Sequence, residues 1–467
     1  MWERFCFYGM RGMLTVFMID KVIGLNMAED VANLQYGATQ AFVYAFTFIG
    51  GFFADKILGF RKSLFWGGIL MISGSCILAF NPHDFFFFGL SFTIIGTGFF
   101  KPNISTMVGQ LYHAGDARRD AGFSLFYSGI NIGALLGGYA CITIAKNYSW
   151  HLAFGFAAIV MTISLVTFVF TQRKMGPIGI SPFKNDAGKK WYEYAVYAGS
   201  LICIPAIMIM VSKTEYTDYF MYTIGPLSLL YIFYEMTKYS PAEKKKLLAA
   251  LVFILFSILF WAFYEQSGGS LNIFAANNVS NKLFGSIKLD PNGVNNSANA
   301  LFVILLAPLV GIAWIWMANK KIEPNTVVKF GLGFLFLAAA FYTFYATRFF
   351  ADQNGIVPLD VFTLAYFIIT FGELCLSPIG LSIMTKLSPK PLQGVMMGMW
   401  FLASAYGQYV AGILGAGMTS PKDNATAMDK LVSYTDGYQQ LGLYALIAGI
   451  VLVIISPVVR KLMQEVK

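Results

Sequence analysis

Glu3-Arg4-Phe5-Cys6-Phe7-Tyr8-Gly9-Met10-Arg11 sets three charged side chains inside an apolar run that covers residues 1–19. A spanning helix takes about 20 mostly apolar residues, so the run is long enough to cross a bilayer. Ionisable groups at mid-membrane cost about 2.5 to 3.5 kcal/mol each. Charges kept against that cost mark a functional site. On a helix, Arg4, Tyr8 and Arg11 fall at i, i+4 and i+7 and share one face.

Working outward, thirteen further apolar runs follow, among them 85–110, 247–275 and 359–385. Fourteen candidate spans account for most of the 467 residues, of which 57% are hydrophobic and 12% charged. A soluble protein carries about 25% charged residues, and this chain lacks the polar surface a cytosolic enzyme needs. The expectation is an all-α polytopic membrane protein. Lys and Arg number 33 against 24 acidic residues. Most of them sit in short loops that alternate from one face to the other, which is the positive-inside pattern and not a nucleic-acid footprint. It places both termini in the cytoplasm. Cys6, Cys76, Cys141, Cys203 and Cys375 are isolated within apolar segments and read as reduced packing residues. No signal peptide is read at the start, and the chain is expected to begin inside its first helix.

Polar stretches at 172–190 and 238–246 bracket two almost purely apolar spans. The layout is six spans, an inserted pair, and six more: residues 1–172 as an N-terminal six-helix bundle, 173–243 as a cytoplasmic linker with the pair, and 244–467 as a C-terminal six-helix bundle. Two six-helix halves built of three-helix repeats are the architecture of the major facilitator fold. With the pair set aside, the intramembrane charges Glu3, Arg4, Arg11, Lys101, Glu265 and Glu373 fall only in core helices 1, 4, 7 and 10, the first of each repeat. Three cations and three carboxylates balance, as a buried network requires. Pro102 follows Lys101 and is expected to bend helix 4 beside its charge.

Three stretches resemble a known family, the proton-dependent oligopeptide transporters of bacterial type. Glu3 to Gly9 is similar to the end of that family's helix-1 E-x-x-E-R-F-x-Y-Y-G motif, Gly50-Gly51-Phe52-Phe53-Ala54-Asp55-Lys56-Ile57-Leu58-Gly59 to its loop 2–3 signature, and Phe126-Tyr127-Ser128-Gly129-Ile130-Asn131-Ile132-Gly133-Ala134 to its helix-5 signature. The motif's first glutamate would fall before Met1, and Phe7 stands where the family has the first of two paired tyrosines. The resemblance implies proton-coupled import of di- and tripeptides across the bacterial inner membrane by alternating access, with protons as coupling ion and no other cofactor. It implies that Arg11 and Lys101 meet the peptide carboxylate and Glu373 the amine, and that Asn131 and Asn299 bond the peptide backbone. It places Tyr8, Tyr44, Trp400 and Ser404 around the substrate, and gives proton coupling to Glu265 with Glu3, Arg4 and Arg11. A zwitterionic dipeptide suits cations on one half and a carboxylate on the other, and an Asn offers an amide both donor and acceptor. The functional unit is expected to be a monomer in the lipid bilayer.

Other features read more plainly. Tyr44, Trp400 and Tyr264 taken alone are packing or interfacial aromatics. Phe85 to Phe88 is lipid-facing bulk, and Gly133-x-x-x-Gly137 a close helix contact. Asp55 with Arg61 and Lys62 is expected to latch helices together at the cytoplasmic side. His83, His113 and His151 lack a second ligand at metal spacing. No nucleophile with a nearby base argues for an enzyme, and charges of mixed sign split between the halves argue against a channel filter. The alternative within the superfamily is a proton-coupled carrier of nitrate or another small anion.

Overall fold

The apolar runs fold as helices because a chain in lipid must satisfy its backbone groups internally. The computed structural model describes residues 1–112, 118–183, 187–376, 380–420 and 425–466. His113 falls outside them, as does the side chain of Arg119. Ten helical stretches among the described residues are long and apolar enough to cross a membrane. Helix α1 (Trp2–Ile19) is not one of them, because its 18 residues include Glu3, Arg4 and Arg11. Hydropathy thus passes over the helix with the densest cluster of buried charge.

Two compact units emerge, and their boundary does not follow chain order. The first comprises Met1–Ala28 and Ala38–Thr217. It holds α1, the later part of α2 (Glu29–Phe53), α3 (Phe60–Phe80), α4 (Phe86–Gln110), α5 (Arg118–Asn147), α6 (Trp150–Thr171) and α7 (Lys190–Ser212). Helices α3 and α4 cross closely where small residues face each other: a Cβ on Gly67 would meet the Gly96 carbonyl oxygen at 2.6 Å, and one on Gly74 the Gly89 oxygen at 2.6 Å. Backbones that close exclude any side chain at the contact. The first inserted helix, α7, belongs to this unit. Trp66 Nε1 donates to Ser200 Oγ at 3.0 Å, and the Trp66 and Tyr197 rings lie 4.9 Å apart.

The second unit comprises Glu29–Gly37 and Asp218–Lys467. It holds the start of α2, nearly all of α8 (Thr214–Met236), α9 (Pro241–Tyr264), α10 (Ser270–Asn278), α11 (Pro291–Asn319), α12 (Thr326–Ala346), α13 (Leu359–Leu376), α14 (Gly380–Leu387), α15 (Gln393–Ala416) and α16 (Ala427–Met463). Its core is aromatic: Phe344 lies 5.3 Å from Phe362 and 5.5 Å from Tyr366, and Phe274 lies 5.6 Å from Tyr438 between ring centroids. The second inserted helix, α8, is held here. The Tyr409 hydroxyl donates to Asp218 at 2.5 Å, and the Tyr406 hydroxyl donates to the Met221 carbonyl. The first residue of α2 is anchored in this unit too, where the Glu29 carboxylate accepts from Lys430, from the Tyr434 hydroxyl at 2.7 Å and from Asn277 at 2.9 Å.

One helix departs from its sequence reading in a way that matters. The apolar run 247–275 is not a single rod: α9 stops at Tyr264, a single 3₁₀ turn covers Glu265–Gly268, and α10 resumes after Gly269. Gly268 and Gly269 weaken the helix there. The Gln266 side-chain amide donates to the Ala262 carbonyl one turn back at 3.1 Å and to the Ala411 carbonyl at 3.0 Å, and its oxygen accepts from Ser270 at 2.6 Å, so the side chain satisfies groups at the break. The interruption falls on Glu265. In contrast, α4 runs unbroken through Pro102.

Candidate functional site

In the first unit the charged face of α1 is built by close packing. Gly133 and Gly137 of α5 lie against its backbone: a Cβ on Gly133 would meet Arg4 Cβ at 3.0 Å, and one on Gly137 would meet Phe5 Cα at 2.7 Å. Only glycine lets α5 approach so near. Glu3 and Arg4 are thereby buried, 4% and 7% exposed, and pair through Arg4 Nε and Glu3 Oε2 at 3.3 Å. A buried pair of this kind offsets the cost of two charges that neither could bear alone. Two turns further, Arg11 has its guanidinium carbon 5.9 Å from the Tyr8 ring centre, which puts these two side chains on one face.

Lys101 of α4 is held by aromatic faces. Its Nζ lies 3.9 Å from the Tyr44 centroid and 5.3 Å from that of Phe7. The negative face of a ring attracts an ammonium. Phe7, the departure from the family's paired tyrosines, therefore keeps the ring contact while lacking the hydroxyl. Asn131 donates its amide to the Tyr127 carbonyl at 3.0 Å, one turn back on its own helix. Pro102 lies beside Gly51, where a Cβ would be 3.7 Å from Pro102 Cβ.

The residues expected to latch helices find other partners. Asp55 pairs with its neighbour Lys56 at 2.9 Å on the surface. Arg61 instead grips the segment after α6: its Nε donates to the Ile178 carbonyl at 2.7 Å and an Nη to the Gly176 carbonyl at 2.6 Å, while its own amide donates to Gly179 at 2.9 Å. Lys62 pairs with Glu193 of α7 at 2.5 Å, and Ser181 donates to the other oxygen of that carboxylate at 2.7 Å. Arg61 and Lys62 thus tie the start of α3 to the linker and to the first inserted helix.

In the second unit Glu373 of α13 is the centre of a polar group. Its Oε2 accepts from the Tyr264 hydroxyl at 2.6 Å and from the Asn299 amide at 2.9 Å. The same amide donates to Thr370 Oγ1 at 3.2 Å. Glu265, 4% exposed, sits on the turn that interrupts the helix. Trp400 and Ser404 of α15 are both buried. Ser404 donates to the Trp400 carbonyl at 3.3 Å, and a Cβ on Gly380 would run into the Trp400 ring. Tyr264, Thr370, Ser181 and Glu193 carry no mark in the sequence that separates them from packing or linker residues; only the tyrosine's place beside Glu265 hints at its part.

Among the described residues no group of three or more His, Cys, Asp or Glu side chains is placed to hold a metal. The arrangement offers cations backed by rings in one unit and a hydrogen-bonded carboxylate in the other. Cations of this kind suit an anionic group and a carboxylate suits a cationic one.

Comparison with known proteins gives a consistent picture. The model of a family described as PTR2, the POT family, matches residues 61–431. The chain is 33% identical to the peptide transporter YePEPT of Yersinia enterocolitica subsp. palearctica, over 100% of this chain and 93% of that protein. It is 30% identical to dipeptide and tripeptide permease B of Aliivibrio fischeri, again covering 100% and 93%. A crystal structure of a peptide transporter POT, mutated from Glu to Gln at one position and in complex with alafosfalin, superposes with a TM-score of 0.84 at 32% identity, covering 99% of this chain and 93% of that one.

Proposed function

The chain belongs to the POT family, and on that premise we propose that it imports di- and tripeptides together with protons by alternating access. It is an integral membrane protein of major facilitator fold and a transporter, not an enzyme. The observation that carries the reading is the Glu373 carboxylate held by two donors in one unit; the other unit carries two cations that face rings, Arg11 and Lys101. The cations take the carboxylate of a zwitterionic peptide and Glu373 takes its ammonium. Tyr8, Tyr44 and Asn131 contribute contacts from the first unit, and Asn299, Trp400 and Ser404 from the second. Side chains stay outside these contacts, so many peptide sequences are accepted.

Glu265 is the protonation site of this reading, with Glu3, Arg4 and Arg11 completing the coupling set. Glu265 is 4% exposed on the turn that interrupts its helix, and in this reading it carries the coupled proton. One proton carries about 2.3 kcal/mol per 100 mV and about 1.4 kcal/mol per pH unit. Together these suffice to accumulate a neutral dipeptide by about a few hundred-fold. Fourteen spans with both termini in the cytoplasm of a bacterial inner membrane, working as a monomer, complete the proposal.

Purified protein in liposomes, energised by an inward proton gradient, tests the substrate class. Uptake of radiolabelled dialanine with no uptake of nitrate is expected; nitrate uptake without dialanine uptake overturns the reading in favour of a small-anion carrier.

A further inference from the structure

Tyr264 ends α9 with its ring fixed from several sides. It stacks on Phe260, centroids 5.7 Å apart at 16°, and meets the edge of Trp261 at 5.4 Å and 87°. Phe260 in turn stands edge-on to Phe334 at 5.5 Å, and both are fully buried. A ring so confined has one direction for its hydroxyl. That hydroxyl is 2.6 Å from Glu373 Oε2, the length of a bond between a hydroxyl and an anionic oxygen.

The second donor on that oxygen is oriented by a chain of its own. Asn299 reaches Glu373 at 2.9 Å and Thr370 at 3.2 Å; Thr370 donates to the Tyr366 carbonyl at 2.8 Å. The Tyr366 hydroxyl donates to Asn295 at 2.5 Å, and the Asn295 amide donates to the Ser267 carbonyl at 2.7 Å. The series therefore leaves the 3₁₀ turn of Glu265–Gly268 at Ser267, passes through α11 and α13, and returns at Tyr264, the residue before the turn. Two donors converging on one oxygen suit a group that only accepts, as an ionised carboxylate does.

We propose that Tyr264 is a positioning residue for substrate recognition: its hydroxyl, acting with the Asn299 amide, aims the Glu373 carboxylate at the ammonium of the bound peptide. This rests on the reading of Glu373 as the amine contact. Tyr264 itself need not touch substrate. Its contribution is preorganisation, the holding of a recognition group by residues whose own rotamers packing has fixed. Selectivity for a charged N-terminus over an acylated one is then set in part by a hydroxyl on another helix.

The test uses the full-length transporter and three variants, Tyr264→Phe, Glu373→Gln and the double variant, with membrane insertion of each confirmed. Unlabelled dialanine and N-acetyl-dialanine compete against labelled dialanine, and the ratio of their inhibition constants is the readout. Phe keeps the ring stack and removes only the oxygen. Tyr264→Phe should weaken dialanine about tenfold, the size of one hydrogen bond to a charged group, and leave N-acetyl-dialanine unchanged. Glu373→Gln should abolish the preference for the free amine, and Tyr264→Phe should then add nothing in the double variant, as groups acting through one another behave. Equal weakening of both peptides by Tyr264→Phe, or single effects that multiply in the double variant, would leave the tyrosine a packing role and overturn the inference. If Glu373→Gln keeps the full preference for a free amine, the reading of Glu373 fails first and the role of Tyr264 falls with it.

Discussion

Replacing Tyr44 by Leu removes the nearer of the two rings that face Lys101. The ammonium stands 3.9 Å from the Tyr44 centroid and 5.3 Å from that of Phe7, so Tyr44 supplies the larger share of the attraction. Cation–π contacts contribute about 0.5 to 1 kcal/mol at exposed sites and about 2 kcal/mol when desolvated. Lys101 is half-buried, which sets the loss at about 1 to 2 kcal/mol. If that attraction keeps the ammonium where a peptide carboxylate meets it, the KM for dialanine should rise about 5- to 30-fold. Tyr44→Phe retains the ring and should stay within about twofold of the unmodified protein. Initial rates of labelled dialanine uptake into proteoliposomes, measured across peptide concentration, give both values. A Leu variant with unchanged KM would refute the placement of Lys101 by this ring. A Phe variant as impaired as Leu would refute it equally, since the hydroxyl and not the ring would then be at work.

Three further outcomes follow from particular contacts. Glu265→Gln fixes a neutral side chain on the 3₁₀ turn and should abolish uphill uptake while leaving peptide-for-peptide counterflow measurable; wild-type accumulation by the variant would remove Glu265 from the coupling set and make Glu3 the leading candidate. Gly137→Val drives a side chain into the Phe5 backbone, 2.7 Å from Cα, and should lower the Tm in detergent by several degrees, in line with about 1 to 3 kcal/mol for overpacking. Gly129→Ala, with only Met1 Cβ at 4.0 Å, should leave it unchanged, and equal Tm values for the two variants would contradict the packing of α5 on α1. Arg61→Ala removes the side-chain grip on the Gly176 and Ile178 carbonyls, so amide exchange over residues 176–181 should quicken by about tenfold or more, as expected for lost hydrogen bonds to a charged group; unchanged protection would show that the segment is held by other contacts.

Apolar length made the helices legible, and the cost of charge in lipid made their important residues legible. Glu3, Arg4, Arg11, Lys101, Glu265 and Glu373 were separable from the background because, apart from Asp360 at the very start of the run 359–385, nothing else in those runs is ionised. The partners of these groups were not. Tyr44 and Tyr264 look like any other of the 25 tyrosines until distances single them out. The interruption at Glu265 hides in the sequence because 247–275 is apolar on both sides of Gly268-Gly269 and hydropathy has no term for helix continuity. The grip of Arg61 was hidden for another reason: it bonds to backbone carbonyls more than a hundred residues away, and carbonyls leave no residue type to search for. The inserted pair shows a similar limit. Composition presents α7 and α8 as two alike apolar spans, yet Trp66 and Lys62 bind the first while Tyr406 and Tyr409 bind the second, so the two helices belong to different units.

The central claim is that peptide and proton move together, and it is tested most directly without any imposed gradient. Liposomes holding the purified protein and a luminal pH dye, with the membrane potential clamped at zero, are given external dialanine while peptide entry and luminal pH are recorded together. The account predicts that the lumen acidifies as dialanine enters, that N-acetyl-dialanine amide produces neither signal, and that Glu265→Gln admits peptide in exchange without acidification. Dialanine entry at the unmodified protein's full rate with no accompanying change in luminal pH would contradict it.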